Sequence, residues 1–423
     1  MSLDHDEIRM ELIRMCERAV AAGRALAVLE SEAKNHCLNC MADGLIAQTP
    51  QILAANAEDM KRAVANGLTP AMQDRLRLDE ARIAGMAQGL REIATQHDPV
   101  GRVLSSTVRP NGLQIDKVSV PMGVIAIIYE SRPNVTSDAA GICIKAGNAV
   151  ILRGGSEAFE SNRTIAEILN QQAMSCGLPA GAVQLLPWTD HAAVNMMLKM
   201  DQYIDLVIPR GGERLIRTVM SESTIPVIKH YKGVCHIFVD AECDFERAVT
   251  IVENAKCQRP SACNAVETLL IDRRAAAHFV PRFLEVMKRR GVLLRGCPAF
   301  CAMAPEVEAA TEDDYYTEYL NLVLTVRIVD GVEMAVDHIN RYGSRHSEAI
   351  LSTIPENVKY FMANVDSATL YENASTRFTD GGEFGMGAEI GISTDKLHAR
   401  GPMGADELTS TKFIVRGTGQ IRE

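Results

Sequence analysis

The chain has 423 residues and a formal net charge of −10, with 54 acidic and 44 basic side chains. Hydrophobic residues make up 47% and charged residues 23% of the sequence, which is typical of a globular protein and excludes disordered, collagen-like and fibrous chains. The acidic excess argues against nonspecific binding to nucleic acid, although a local basic pocket can still bind a small anion. At roughly 150 residues per domain, the length predicts two or three domains.

The sequence contains no pattern typical of a membrane span or a secretory signal. Its apolar runs, such as residues 123–129, are much shorter than the ~20 residues that a membrane-spanning helix needs. The opening segment, MSLDHDEIRM, is acidic and lacks an apolar core. The 11 cysteines, an odd number, favour reduced thiols over a disulfide framework. These features predict a cytoplasmic protein that binds neither membrane nor nucleic acid.

The first hundred residues have the pattern of helices, and a β-hairpin follows them. Apolar residues recur at helical spacing over 83–94, and Asp79 is placed to cap the start of that helix. Two strand-like arms come next, joined by Asn111-Gly112, a dipeptide typical of tight hairpin turns.

Strands and helices alternate from residue 123 to about residue 352. The predicted strands are 123–129, 149–153, 182–186, 204–208, 235–239, 267–271, 291–295, 322–329 and 348–352. Helix-like stretches separate them, and parallel strands require connections of this length. The pattern therefore predicts an α/β protein with doubly wound sheets. The tail from Asp366 is rich in Gly and Thr and is neither strongly helical nor typical of disorder.

Cys263 lies in QRPSACNAVETLLID, on a connection between a predicted helix and a predicted strand. A thiolate becomes a good nucleophile when it is partly exposed and near positive charge, and Lys256 and Arg259 are close in sequence. The alternative is that Cys263 is a packed thiol, since free cysteine is usually a small buried hydrophobe. The local pattern leaves both interpretations open.

Long stretches of the chain resemble the aldehyde dehydrogenase superfamily, in the family's order and from about residue 8 to the C-terminus. They are PMGVIAIIYESRPNVTSDAAGICIKAGNAVILRGGSEAFESN, IDLVIPRGGERLI, QRPSACNAVETLL, YLNLVLTVRIVDGVEMAVDHINRYGSRHSEAI and NASTRFTDGGEFGMGAEIGISTDKLHARGPMG. The resemblance implies an aldehyde-dehydrogenase-like α/β fold of three parts. These are a Rossmann-like cofactor domain (1–104 and 123–234), an α/β catalytic domain (235–365) and an oligomerisation arm of β-hairpin and C-terminal tail (105–122 and 366–423).

The resemblance also implies an activity, the NADPH-dependent reduction of L-glutamyl 5-phosphate to L-glutamate 5-semialdehyde in proline biosynthesis. Cys263 takes the position of the family's nucleophile, which would carry the thioester intermediate. Asn134 matches the family's oxyanion asparagine and the resemblance favours that role, whereas local sequence alone favours a turn or helix cap. The implied partners are the small substrate, further copies of the chain in a homo-oligomer, and glutamate 5-kinase as a functional associate.

One departure from the family favours a reductase over an enzyme that oxidises aldehydes. Oxidising members carry a glutamate that activates water for thioester hydrolysis, but the matching stretch here, residues 227–240, has no carboxylate before Asp240. Its basic residues Lys229, His230 and Lys232 suit the binding of an anion better than the activation of water. The alternative is that they form a solvated basic cluster before the strand. An ordinary aldehyde dehydrogenase and a non-enzymatic scaffold with this fold are the alternative functions.

The candidate cofactor loops depart from the GxGxxG pattern of simple dinucleotide-binding folds. Both are glycine-containing connections after a predicted strand, where small residues and a helix N-terminus suit ribose and phosphate. Their residues are Arg153, Gly154, Gly155, Ser156, Pro209, Arg210, Gly211 and Gly212. Arg153 replaces the family's usual lysine and could approach the 2′-phosphate of NADPH. Glu318 matches the family glutamate that contacts the nicotinamide-side ribose; without that match it is an exposed acid.

Two arginines are candidates for binding the anionic groups of the substrate. Arg377 lies in NASTRFTDGGEFG, which resembles the family segment that closes over the catalytic cysteine. A guanidinium can hold a carboxylate through two parallel hydrogen bonds. Arg259, four residues before Cys263, could face the phosphate instead. Either side chain is equally well a surface arginine on local sequence.

Two pairs of cysteines have spacings that could indicate a zinc site. They are Cys37 with Cys40, and Cys297 with Cys301. The first pair falls in a helix-like stretch, and the pairs are far apart in sequence. Structural packing is therefore favoured for all four, and no metal is predicted.

Overall fold

The computed structural model describes residues 5–229 and 231–422, and the chain divides into two compact units. Within the described ranges, the first unit comprises residues up to Lys229, residues 385–391 and residues from Met403 onward. The second comprises residues 231–384 and 392–402. None of the helices in these ranges is long and apolar enough to cross a membrane.

Helices and strands are numbered here in chain order. The helices are α1 His5–Leu26, α2 Ser31–Ala47, α3 Thr49–Ala65, α4 Pro70–Leu76, α5 Glu80–Thr95, α6 Asn134–Lys145, α7 Phe159–Ser175, α8 His191–Met197, α9 Glu213–Glu222, α10 Phe245–Cys257, α11 Arg273–Arg289, α12 Pro298–Cys301, α13 Gly331–Tyr342 and α14 Pro355–Asn364. The strands are β1 Val103–Val108, β2 Gln114–Pro121, β3 Val124–Tyr129, β4 Ala149–Arg153, β5 Val183–Leu185, β6 Leu206–Arg210, β7 Cys235–Val239, β8 Val266–Asp272, β9 Leu293–Gly296, β10 Glu308–Ala309, β11 Val323–Val329, β12 Ser347–Leu351, β13 Thr369–Glu372, β14 Gly391–Ser393, β15 Gly401–Met403 and β16 Thr409–Arg416.

The helical pattern predicted for the first hundred residues is confirmed by α1 to α5. In α5 the apolar residues at helical spacing form one buried face, from Ile83 to Ala94. Asp79 caps this helix, because its side chain accepts a hydrogen bond from the backbone N–H of Arg82 at 2.7 Å. The cap satisfies one of the backbone donors that a helix start leaves without a partner.

A four-stranded parallel sheet forms the centre of the first unit, in the order β5-β4-β3-β6. Strands β4 and β6 flank β3 on opposite sides, so the strand order reverses beside β3. In open α/β sheets, nucleotides bind outside the carboxyl ends of the strands at such a point. The sheet order therefore indicates a ligand site at the residues that follow β3, β4 and β6.

One predicted loop is partly strand in the structure. Pro209 and Arg210 are the last residues of β6, which is shifted from the predicted 204–208 toward the C-terminus. Proline lacks an N–H donor, and β6 tolerates Pro209 because it is an edge strand of its sheet. Only Gly211 and Gly212 of the predicted second cofactor loop lie between β6 and α9.

The predicted hairpin is present and belongs to a separate three-stranded sheet of the first unit. β1 pairs with β2, and β2 pairs with β16, both antiparallel. Gly112 has φ of 87°, a left-handed conformation that glycine adopts without strain. All six residues of β1 are exposed. The C-terminal tail therefore completes a sheet that the hairpin begins.

The second unit is built on a seven-stranded sheet in the order β10-β9-β11-β8-β7-β12-β13, with every neighbouring pair parallel. Its end strand β13 lies inside the range 366–423 that we assigned to the arm. Residues 369–372 instead pair with β12 as a parallel strand and so extend this sheet. The division into cofactor, catalytic and oligomerisation parts stays a prediction.

Candidate active site

Cys263 lies on the connection between α10 and β8 in the second unit, half-buried, as the sequence predicts. Its backbone carbonyl accepts a hydrogen bond from the thiol of the buried Cys235 at 3.3 Å. Cys235 is the first residue of β7, so the central sheet supports the connection from behind. Regular elements therefore fix the backbone of Cys263 while its side chain keeps partial access to solvent.

Gly233 packs directly against the backbone of Cys263. A Cβ atom built on Gly233 would lie 1.7 Å from the Cys263 carbonyl oxygen, so no larger residue fits without displacing Cys263. The N–H of Gly233 donates to Oε1 of Glu318 at 2.8 Å. One glycine thus positions both the predicted nucleophile and the predicted ribose-binding glutamate. Gly233 lies in the stretch 227–240, where the sequence shows carboxylates and cations as candidate residues but gives a glycine no distinguishing charge or spacing.

The two predicted substrate arginines lie near each other, and the pKa of Arg377 responds to Cys263 as well. Arg377 donates from Nε to Oε1 of Gln258 at 2.8 Å and from Nη1 to the side-chain oxygen of Asn264. Burial lowers the pKa of the Arg377 guanidinium, the charge of Arg259 lowers it further, and the Asp380 carboxylate opposes both effects. Arg377 therefore already binds the chain's own amides, which the sequence did not predict.

The segment that carries Arg377 is fastened to the residue after the nucleophile. Thr376 donates from Oγ1 to the Asn264 carbonyl at 2.7 Å, and the Asn264 side chain donates to the Thr379 carbonyl at 2.8 Å. Asn264 is buried. Buried polar groups are stable only when they are hydrogen-bonded, so this amide locks the two segments together.

Lys256 does not face the thiol, contrary to the prediction that it could activate Cys263. It is buried, and its Nζ donates to Oε2 of Glu267 at 2.6 Å and to the Val266 carbonyl at 3.0 Å. Burial raises the pKa of Glu267 to about 7, against the lowering effect of Lys256. A buried ammonium needs such a partner, which explains why Lys256 points inward to β8.

The basic stretch before β7 is only partly available to an anion. Lys232 donates from Nζ to the Tyr316 carbonyl at 2.6 Å. Lys229 is the last described residue before a gap, and His230 lies outside the described residues. Asp240 is buried at the end of β7 and accepts hydrogen bonds from Ser352 and Asn357. It is therefore a structural carboxylate.

Asn134 is the first residue of α6 in the first unit and is exposed. Interpreting it as a helix cap is wrong, because the cap position is occupied by Pro133 and no side chain caps this helix. The Asn134 amide instead donates from Nδ2 to Oδ2 of Asp138 at 3.0 Å. Burial raises the pKa of Asp138 to about 6, and the Asn134 hydrogen bond opposes that shift. The oxyanion role stays a prediction.

The carboxyl ends of β3, β4 and β6 bring the candidate cofactor residues together. Arg153 ends β4, is 8% exposed, and donates from Nη2 to the Thr189 carbonyl at 3.1 Å. Its Nε has no hydrogen-bond partner among the described residues. Burial lowers the pKa of Arg153, while the Glu157 and Glu130 carboxylates oppose this effect. A buried donor without a partner fits a site that a polar ligand completes.

Two glycines of these loops, Gly154 and Gly211, are needed for packing within the chain. A Cβ on Gly154 would lie 1.9 Å from Nδ2 of Asn162, and one on Gly211 would lie 2.5 Å from Oε2 of Glu130. Glu130 also accepts a hydrogen bond from the N–H of Gly212 at 2.9 Å. These contacts alone account for the glycines, so the glycines themselves do not identify the ligand. Ser156 is exposed beside them.

Comparisons with known proteins agree with this architecture. The profile of the aldehyde dehydrogenase family matches residues 9–315. The chain belongs to the aldehyde dehydrogenase family. The gamma-glutamyl phosphate reductase of Moorella thermoacetica is 54% identical over 416 residues, which cover 98% of this chain and 100% of that protein.

Solved structures confirm the fold of this family member. Gamma-glutamyl phosphate reductase from Thermotoga maritima is 42% identical, with a TM-score of 0.96 over 98% of this chain and 100% of that chain. An acetylating aldehyde dehydrogenase from Geobacillus thermoglucosidasius is 17% identical, with a TM-score of 0.71 over 100% of both chains. The predicted aldehyde-dehydrogenase-like α/β fold is therefore confirmed.

Replacing Gly233 by alanine should reduce the activity of this enzyme, because the new side chain would displace Cys263. The added methyl group cannot coexist with the Cys263 carbonyl, and a shift of about 1 Å at a reacting group costs roughly 10²-fold in rate. We expect Gly233→Ala to slow turnover by about that factor and to change the rate at which iodoacetamide alkylates Cys263. The matched control is Gly85→Ala in α5, where nothing lies within 4 Å of the new Cβ. Equal alkylation rates in the two variants would contradict the proposed packing.

Proposed function

We propose that this oxidoreductase catalyses the NADPH-dependent reduction of L-glutamyl 5-phosphate to L-glutamate 5-semialdehyde and phosphate, the second step of proline biosynthesis from glutamate. The observation that carries the proposal is the loop at Cys263, held by Gly233 and bordered by Glu318 and Arg377. This loop occurs in a chain whose full-length relative bears the name gamma-glutamyl phosphate reductase.

The chemistry begins on the sulfur of Cys263. The thiolate attacks the acyl carbon, a carbon–sulfur bond forms, and the bond to the phosphate oxygen breaks, so that phosphate leaves and a thioester remains. The nicotinamide cofactor, when bound, supplies the hydride that reduces this thioester. The resulting thiohemiacetal collapses to the aldehyde and frees the thiolate. The backbone N–H of Cys263 and the Asn134 amide are the donors that we assign to the negative oxygen.

Hydrolytic oxidation of an aldehyde is the competing activity, and two buried carboxylates of the second unit, Asp240 and Glu267, do not suit it. That reaction needs a carboxylate able to activate water beside the thioester. Asp240 is buried and hydrogen-bonded at the far end of β7, and Glu267 is bound to the buried Lys256. Release by phosphate, rather than by water, requires no such base.

Members of this family use a nicotinamide cofactor, and we assign NADPH to this enzyme. Our candidates for contacting the 2′-phosphate and its ribose are Arg153, whose Nε has no partner in the described part of the chain, and the exposed Ser156. Gly154, Gly155 and the loop after β6 would lie beside the diphosphate.

We also place the enzyme in the cytoplasm, a proposal supported by the absence of disulfides among its 11 cysteines, all of which are described.

The reverse reaction offers a direct test of the proposed function. We expect glutamate 5-semialdehyde to be oxidised with NADP⁺ only when phosphate or arsenate is present, because one of these anions must release the acyl group from Cys263. Cys263→Ser should keep its fold and cofactor binding but lose nearly all turnover, since a hydroxyl is a far weaker nucleophile than a thiolate.

Cys257 provides the matched control for this test. It is a half-buried thiol six residues from Cys263, and burial raises its pKa. Cys257→Ser should retain activity. Turnover in phosphate-free buffer would instead support a hydrolytic aldehyde dehydrogenase, and an active Cys263→Ser variant would move the chemistry to another residue.

Arg377 is our candidate for holding the α-carboxylate of the substrate. We expect Arg377→Lys to raise the KM for glutamate 5-semialdehyde tenfold or more, about 1.4 kcal/mol, because lysine cannot make two parallel hydrogen bonds. The affinity for NADP⁺ should stay unchanged. The exposed Arg247 gives a control substitution, Arg247→Lys, that should alter neither constant.

The ratio of the kinetic constants separates this role from a purely structural one. Arg377 also binds Gln258 and Asn264, so a structural role would lower kcat through the Cys263 loop and leave KM unchanged. That second pattern would remove Arg377 from substrate binding and make Arg259 the candidate.

The three-stranded sheet suggests how copies of the chain associate. Its two edge strands, β1 and β16, expose apolar side chains, among them Val103, Leu104, Val108 and Phe413. A small ribbon with exposed apolar residues is marginally stable alone, so we propose that it pairs with another copy in a homo-oligomer.

An association with glutamate 5-kinase is also our proposal, because the acyl phosphate that the kinase produces is chemically labile.

Charge on the C-terminal strand should dissociate this oligomer. Phe413 is 67% exposed on β16. In light scattering at micromolar concentration, we expect the unmodified protein to exceed the 46.2 kDa of one chain and Phe413→Glu to approach it. Leu397→Glu, at an exposed leucine outside this sheet, is the control that should leave the mass unchanged. A monomeric unmodified protein would contradict the proposal.

A further inference from the structure

Three potential metal ligands meet in the first unit, among residues that the proposed function does not use. His36 and Cys40 lie on α2, and Cys176 follows the last turn of α7. The nitrogen and sulfur atoms that these side chains can offer all lie within 4.8 Å of one another. Cys176 is distant in sequence from the other two, so only the fold brings this cluster together.

The spacing of the cluster suits a tetrahedral ion. Residues four apart on a helix share one face, which aligns His36 with Cys40. Their Nε2 and Sγ atoms are 3.6 Å apart. Zinc bonds of about 2.3 Å to sulfur and 2.0–2.1 Å to nitrogen place two tetrahedral ligand atoms at roughly 3.5–3.8 Å. The observed distance therefore needs little adjustment for both atoms to reach one ion.

We propose that His36, Cys40 and Cys176 bind one zinc ion, with a water molecule as the fourth ligand. His36 is exposed, and Cys40 and Cys176 are half-buried, so the ion can enter from solvent. Cys37, which the sequence pairs with Cys40, is excluded from this set. It is buried, and its thiol contacts the sulfur of Met41 at 3.7 Å.

Binding of the ion should depend on pH. A cysteine binds a metal as the thiolate and a histidine as the neutral ring, so the ion takes the place of protons. The affinity of the site for the ion should therefore increase with pH.

The site would join two helices of the first unit. α2 and α7 already approach closely, since a Cβ on Gly44 would lie 2.4 Å from Cγ of Gln172. An ion held by His36 and Cys40 on one helix and by Cys176 at the end of the other would fasten this pair. We therefore assign the ion a structural role, which is independent of the reaction at Cys263.

Cobalt titration of the full-length chain provides the test, because Co²⁺ is a spectroscopic probe for zinc sites. The chain is purified metal-free with a phosphine reductant, in a Cys263→Ser background that removes the proposed reactive thiol. We expect one Co²⁺ per chain, a thiolate-to-cobalt absorption band, intense visible bands typical of tetrahedral geometry, and displacement by Zn²⁺. Cys40→Ser and Cys176→Ser should each weaken binding at least tenfold and reduce the thiolate band. Cys243→Ser, at a half-buried thiol of the second unit, should change nothing.

Thermal unfolding distinguishes a lost ligand from a lost fold. Without metal, the serine variants should have the same Tm as the parent. Zn²⁺ should raise the Tm of the parent but not that of Cys40→Ser or Cys176→Ser. The proposal is overturned if Cys176→Ser keeps the parent's cobalt spectrum and affinity. It is equally overturned if the parent binds no Co²⁺ at micromolar concentration. Neither result depends on the proposed reductase activity.

Discussion

The contact between two backbones, at Gly233 and Cys263, determines the arrangement of the candidate active site. The Cα of Gly233 faces the Cys263 carbonyl at a distance that excludes any side chain, and its N–H binds Glu318. The thiol of Cys235 binds the same carbonyl from the first residue of β7. Two of these three restraints come from main-chain atoms, which have few conformations once the sheet is formed. Such restraints keep a nucleophile in position without burying its reactive atom, which covalent catalysis requires.

Behind that loop lies an ion pair that hydrophobic packing could have replaced. Lys256 and Glu267 are both buried, and taking two charges out of water costs several kcal/mol per ion before they attract each other. The structure suggests why a polar pair suits this place. Lys256 joins the end of α10 to the start of β8, and Glu267 accepts the N–H of Leu320, two residues after Glu318. Directional bonds fix the relative positions of these segments, whereas apolar contacts allow them to slide.

Local patterns predicted the regular elements well and the partners of individual side chains poorly. The run AVILR gave the bounds of β4, and Asp79 caps α5 as predicted, because both depend on neighbours in sequence. The direction of Lys256 and the amide partners of Arg377 depend on segments that meet only in the folded chain. The resemblance to the family located Cys263, but the glycine that supports it had no periodicity or charge to reveal it. The cluster with Cys176 was invisible for the same reason, since two of its ligands come from one helix and the third from another.

The return of the C-terminus to the first unit has a consequence for synthesis on the ribosome. β2 pairs with β16, and Asn148 at the start of the parallel sheet donates to the Leu408 carbonyl at 2.9 Å. The first unit is therefore incomplete until nearly the whole chain has been made, although most of its residues are translated first. Until then β2 has an open edge and Asn148 lacks an acceptor, and unpaired strand edges promote aggregation of partly folded chains. Late closure of this kind leaves the edge of β2 open to association with other chains until β16 has been made.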